Sequence, residues 1–258
     1  MPTPFMHLAL ATDVLKGSDL STAARRLLAA QRGPFLLGNT APDVQTVSGQ
    51  ARLETHFYTL PPASDTPAQD VLFATYPELA QAAQLRAAHA AFIAGYIAHL
   101  TLDELWLRQV FLPFYREGSL SWPERAFQHN LLRTWMDRQD LARINGSARA
   151  ALQQAEPRGW LPFVNDRDLT AWRDWLVEQL RPGQHIQTAE VFARRMGVTT
   201  DEMEAVLVSP AQMTERVLKH LPEGILEEFR ATGRSRTCDA ISRYLDNTGK
   251  PIEEMDSL

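Results

Sequence analysis

The sequence predicts an all-α fold, a single multi-helix domain around one central buried helix. Apolar residues recur at three- and four-residue steps along almost the whole chain, which is helical rather than strand periodicity. Runs of β-branched residues bounded by turn signals, the mark of strands, are scarce. The stretch 90–102 is apolar nearly all round, as a helix covered on every face must be. With 258 residues, 45% of them hydrophobic, the chain can bury a core without disulfides or a partner subunit.

Each element follows from a local signal. A first helix should cover 4–15, stopped by Gly17, and a second should follow the Ser18-Asp19 cap and end near Gly33-Pro34. Residues 33–62 hold Gly, Pro, Asn and Ser among scattered aromatics, predicting a long irregular segment of the kind that carries function. A short helix is expected over 67–75 and a long one over 83–110, closed by Pro113. On the long helix Phe92, Tyr96, His99, Asp103, Trp106 and Val110 fall on one stripe, with Tyr96 and Trp106 read as core. Trp122-Pro123 opens another helix, and helical segments continue to Ala155. Residues 160–166 read as a loop, 169–180 as a helix broken by Pro182-Gly183, and 188–196, 201–207, 210–221 and 225–245 as shorter helices before a fraying tail from Asn247. This organisation implies a helical metal-binding core over 1–155 and a helical C-terminal extension over 156–258 packed on it.

Charge and composition exclude several classes. The 31 acidic and 26 basic residues give a net charge of −5 with no basic run, which argues against nucleic-acid binding, because phosphate-backbone affinity needs clustered Lys and Arg. A single cysteine, Cys238, excludes an internal disulfide framework and a Cys-rich zinc module. The first fifteen residues lack a basic leader and a small-residue cleavage site, so they do not read as a secretory signal, and a cytoplasmic location is expected. The longest apolar stretch is interrupted by His99 and followed by Asp103 and Glu104, short of the ~20 residues a bilayer span requires.

His99 and Asp103 stand four residues apart on the most buried helix, so both side chains share one face. A buried aspartate is costly unless a cation or strong donors neutralise it. A His-Asp hydrogen bond closing a polar hole would explain the pair alone, but His7, Asp43 and His56 also sit in apolar settings upstream of residue 104. Imidazoles and carboxylates without thiolates suit zinc at a catalytic rather than a structural site. Thr55 and Asn39 are placed to orient His56 and Asp43. His89 lies roughly 80° around the long helix from His99 and either lines the same cavity or faces a neighbour. His185 and His220 fall at helix ends, where a cation favours the dipole, and Glu104 should face solvent or support Asp103.

The runs GNTAPD, ETHFY and GYIAHLTLDELW, with His7 before them, resemble the zinc-dependent phospholipase C family, which is related in fold to the S1/P1-type nucleases. The elements shared over about residues 1–110 are an N-terminal histidine, Gly38 through Pro42-Asp43, His56-Phe57, and His99 with Asp103. The resemblance implies that Asp43, His56, His99 and Asp103 surround one zinc and that Asp103 reaches a second, also bound by His7. It further implies that removal of Met1 would offer the Pro2 amine as a ligand. The family's third set departs here. Gln109 stands where a histidine is expected, and His129 is followed four residues later by Arg133, so one or two zinc ions are implied, not three. His129, opposite the Phe127, Leu131, Trp135 stripe, is expected to be solvated.

The function expected from these residues is metal-dependent hydrolysis of phosphate esters, phospholipase C-like by resemblance, on a small phosphoester or phospholipid head group. Asp43 and Asp103 are the candidate proton acceptors as well as ligands. No Ser-His-Asp order, Gly-rich phosphate loop or H-E-x-x-H helix competes, and the paired Glu-x-x-His of di-iron bundles is absent. The alternative is a descendant that has lost turnover and binds a metal, ligand or partner.

Overall fold

The computed structural model describes residues 1–117, 120–144, 146–183 and 186–246. Helix α1 (Pro4–Lys16) starts with proline at its first position, where a missing N–H costs nothing, and is buried from Phe5 to Thr12. Helix α2 (Thr22–Ala30) is capped by Ser21, whose hydroxyl accepts from the Ala24 N–H at 3.2 Å. That start is later than the Ser18-Asp19 signal suggested.

The segment expected to be irregular is mostly helical. Helix α3 (Arg32–Gly38), a 3₁₀ turn (Ala41–Val44), α4 (Gln45–Ser48) and α5 (Arg52–His56) follow one another closely. Each piece is too short to show a helical period, and its Gly and Pro residues sit at ends where they are tolerated. Helix α6 (Ala68–Thr75) leads to α7 (Ala87–Trp106), the central helix, buried almost without break from Ala90 to Leu100. Pro113 does not close the rod. The chain continues as a π-helix (Leu107–Arg116) through Pro113, where the missing proline N–H leaves one i→i+5 bond unmade.

Helix α8 (Trp122–Leu141) begins with a capping box in which Glu124 accepts from the Ser121 N–H at 3.0 Å. Helices α9 (Gly146–Gln153), α10 (Asp166–Gln179), α11 (Thr188–Met196), α12 (Thr200–Leu207), α13 (Pro210–Arg216) and α14 (Ile225–Asp246) complete the described chain. Among the described residues there is no strand. None of the helices is long and apolar enough to cross a membrane. Residues from both halves of the chain share one hydrophobic core, with α14 lying along α7 and α11 along α8. His185 and the tail from Asn247 lie outside the described residues.

Two glycines set the position of the centre. A Cβ on Gly38 would stand 2.0 Å from the Phe92 carbonyl oxygen, and one on Gly95 would stand 2.2 Å from that of Phe35. Only hydrogen in both places lets the backbones of α3 and α7 touch. That contact brings the chain after α3 against the face of α7 that carries His99.

Candidate metal centre

Four stretches of chain deliver five side chains to one place. His7 comes from α1, Asp43 from the 3₁₀ turn, His56 from the last position of α5, and His99 and Asp103 from α7. Phe57 has a left-handed backbone, φ 61°, uncommon for a bulky residue. It reverses the chain so that His56 and Tyr58, on either side of it, both face inward. His7, His56, His99 and Asp103 are buried. Asp43 and Arg52 keep about a fifth to a quarter of their side chains exposed, 21% and 24%, so the centre opens to solvent on their side.

The hydrogen bonds fix the tautomers. His99 Nδ1 lies 2.9 Å from the Asn39 carbonyl oxygen, which can only accept, so Nδ1 carries the proton and Nε2 presents a lone pair. The Thr55 hydroxyl donates to the Arg52 carbonyl at 3.2 Å. It therefore accepts from His56 Nδ1 at 2.9 Å, leaving His56 Nε2 bare as well. Asp103 Oδ2 accepts from Arg52 Nη2 at 2.6 Å and from the Tyr58 hydroxyl at 2.9 Å, while Oδ1 has no hydrogen-bond partner. Both ring nitrogens of His7 are likewise unpartnered, and its ring stacks on His99 at 3.7 Å between centroids.

The unpartnered ring nitrogens face carboxylate oxygens. His56 Nε2 is 3.6 Å from an oxygen of Asp43 and 3.6 Å from Asp103 Oδ2, His99 Nε2 is 3.8 Å from Asp103 Oδ2, and His7 Nε2 is 3.5 Å from Asp103 Oδ1. Such separations are too long for good hydrogen bonds. They come close to the ~3.3 Å that separates two ligand atoms each about 2.0–2.1 Å from a tetrahedral zinc. Two overlapping triads emerge, His7 with His99 and Asp103, and Asp43 with His56 and His99, their ligand atoms within 4.8 Å of one another.

Protonation favours a cation between them. Burial drives the His99 imidazole down to about 3, with His7 adding to the effect, and lowers His56. Burial alone would raise the Asp103 carboxyl, but the neighbouring imidazoles and the Arg52 guanidinium hold it well below the carboxylate range. The imidazoles beside Asp43 likewise outweigh burial and hold it at about 2. Neutral imidazoles and ionised carboxylates are the forms that bind metals. Lone pairs aimed at buried carboxylate oxygens repel, and a divalent ion turns that repulsion into attraction.

All five predicted side chains thus meet at one point. Thr55 holds His56 as expected, whereas Asn39 serves His99 through its backbone carbonyl and not Asp43. His89 bonds the Trp160 carbonyl at 2.8 Å, Glu104 accepts from the Ala68 N–H at 2.8 Å, and His220 sits exposed in a 3₁₀ turn. His129 is not solvated but buried. Its Nε2 accepts from Trp106 Nε1 at 2.9 Å, under the rings of Phe111 and Tyr115, because the π-helix covers the face of α8 opposite its apolar stripe.

Sequence reasoning missed Arg52, Tyr58 and Arg133. Arg52 precedes His56 by four residues on α5 and so shares its face, a signal that shows only when the segment is helical. Arg133 donates to the Met1 carbonyl at 2.9 Å and lies over the Phe192 ring at 4.1 Å. No protein-family model, curated protein or solved structure matches the chain.

Proposed function

We propose that this protein is a zinc-dependent hydrolase of phosphate esters, holding one or two ions with His7, Asp43, His56, His99 and Asp103. The observation that carries the reading is the convergence of unpartnered imidazole nitrogens and a carboxylate oxygen, buried and spaced as ligands of a shared ion. A bound divalent ion supplies Lewis acidity and makes a water deprotonable near neutral pH. Asp43, on the open side, accepts the proton of an attacking water. Arg52 supplies the positive charge suited to a phosphoryl oxygen, with Nη2 locked on Asp103 and Nη1 buried without a hydrogen-bond partner. Tyr58 donates to the same Asp103 oxygen and accepts from Arg52 Nη2 at 2.7 Å, so the three groups hold one another.

Phospholipase C-like action on a phospholipid head group is the finer form of this proposal. The Arg52–Asp103 contact favours a second reading, a one-ion binding protein without turnover, because it occupies Oδ2, the Asp103 oxygen facing His56 and His99, and leaves only Oδ1, beside His7, free for an ion. Elemental analysis together with hydrolysis of bis(p-nitrophenyl) phosphate and p-nitrophenylphosphocholine in added zinc separates the two. Bound zinc with hydrolysis supports the enzyme, bound zinc without hydrolysis of either ester supports the binding protein, and no bound zinc overturns both.

A further inference from the structure

The centre has a neighbour. Asp43 also lines a cavity of about 80 Å³ shared with Arg133, Arg195, Thr188, Trp172 and Trp175. One wall is aromatic. Trp172 donates to the Thr40 carbonyl at 2.9 Å and stacks on Trp175 with 5.0 Å between centroids. Arg133 is pinned between Phe192 and the Met1 carbonyl, yet its Nε is buried with no hydrogen-bond partner. Arg195 is exposed and makes no hydrogen bond or ion pair among the described residues.

The charges are arranged for an anion. Burial first and repulsion by Arg195 second lower the Arg133 guanidinium to about 10, with Asp137, Asp43 and Asp103 opposing. Two of those carboxylates belong to the metal centre, and an ion there would consume their charge. The third, Asp137, is raised to about 7 by burial and accepts from Thr188 and Thr3, so near neutral pH it sets about half a charge against the two guanidiniums. A volume of about 80 Å³ has room for several waters, and so for a carboxylate or a phosphoryl group.

We propose that this cavity is a specificity pocket for a second acidic group on the substrate, a carboxylate or phosphate one or two bonds from the reacting phosphoryl group, held by Arg133 and Arg195 against the tryptophan wall. The inference rests on the phosphoester reading of the metal centre and names the substrate class as small, doubly acidic phosphoesters. Zwitterionic head groups, whose outer charge is positive, are disfavoured by it.

The test uses two stable phosphonates of matched length on the zinc-loaded full chain. Phosphonoacetate carries the second acid, and ethylphosphonate has a methyl group in its place. Binding is read by tryptophan fluorescence and calorimetry, with zinc content measured after each titration. Phosphonoacetate should bind about tenfold tighter or more, as a charge-assisted contact implies. Arg195→Ala should cut that preference roughly fivefold and Arg195→Glu should abolish it, both leaving ethylphosphonate affinity and zinc content unchanged. Equal affinities in the wild-type protein overturn the pocket while the phosphoester site stands. Failure of both phosphonates to bind, together with absent hydrolysis, overturns the site and the pocket together.

Discussion

Replacing His7 by phenylalanine should stabilise the metal-free protein and weaken its response to zinc. His7 is fully buried, and neither of its ring nitrogens has a hydrogen-bond partner, so the substitution removes two unsatisfied polar atoms and breaks no bond. At about 1–3 kcal/mol for each of the two groups, the metal-free fold should gain ~2–6 kcal/mol. The extra volume of the larger ring takes back about 1–3 kcal/mol, leaving a net gain of ~2 kcal/mol between the midpoints. Planar stacking on His99, 3.7 Å away, is retained. With zinc the sign reverses. A ligand at a thousandfold excess over its Kd stabilises the wild-type protein by about 4 kcal/mol, or ~8–16 °C in Tm at this chain length. The variant, short of a ligand, should show less than half of that. Urea titrations and thermal melts in chelator and in buffered zinc, run on both proteins, give all four numbers. A wild-type Tm unmoved by zinc, joined to a loss of more than about 3 kcal/mol in metal-free His7→Phe, would refute the reasoning, for it would mean that His7 is a satisfied core residue.

Other expectations come from the same contacts. Gly95→Ala places a methyl group 2.2 Å from the Phe35 carbonyl oxygen, so it should destabilise the fold by on the order of 3 kcal/mol and lower zinc content by moving Asn39 from His99, both measurable by denaturation and elemental analysis. Trp106→Phe removes the donor to His129 Nε2 and should cost about 1–3 kcal/mol in urea denaturation without changing zinc stoichiometry. Asp137, raised by burial to about 7, binds its proton more tightly in the native state than in the unfolded chain. Its contribution is therefore complete below about pH 4 and lost as pH rises through about 7, amounting to ~4 kcal/mol at most. In Asp137→Asn that part of the pH dependence should vanish, and a variant whose denaturation midpoint tracks the wild type from pH 4 to pH 8 would count against it. Arg52→Lys should preserve zinc content while reducing phosphodiester hydrolysis about tenfold to hundredfold in kcat.

The failures of sequence reading have a common origin in context. The period of α7 marked it as buried from its own letters, since a helix apolar on all faces has nowhere else to go. His99 and Asp103 share a face because four residues make about one turn. By contrast, α3, the 3₁₀ turn, α4 and α5 are held by packing against α7 and by caps, and pieces of four to seven residues have no helical stability of their own. The same blindness hid Arg52. His129 was misjudged because burial depends on what covers a face, here a π-helix through Pro113 that no local rule anticipates.

By itself the amino-acid order determined the helical class, the buried central rod and the identity of five ligand-type side chains, because periodicity and residue chemistry are local properties. Only the tertiary structure decided that these side chains meet with their lone pairs unspent, that Arg52 and Tyr58 grip Asp103, and that Arg133 and Arg195 flank the adjoining cavity. Distances between residues far apart in the chain are set by close packing, above all the backbone contact at Gly38 and Gly95, and packing is a property of the whole chain.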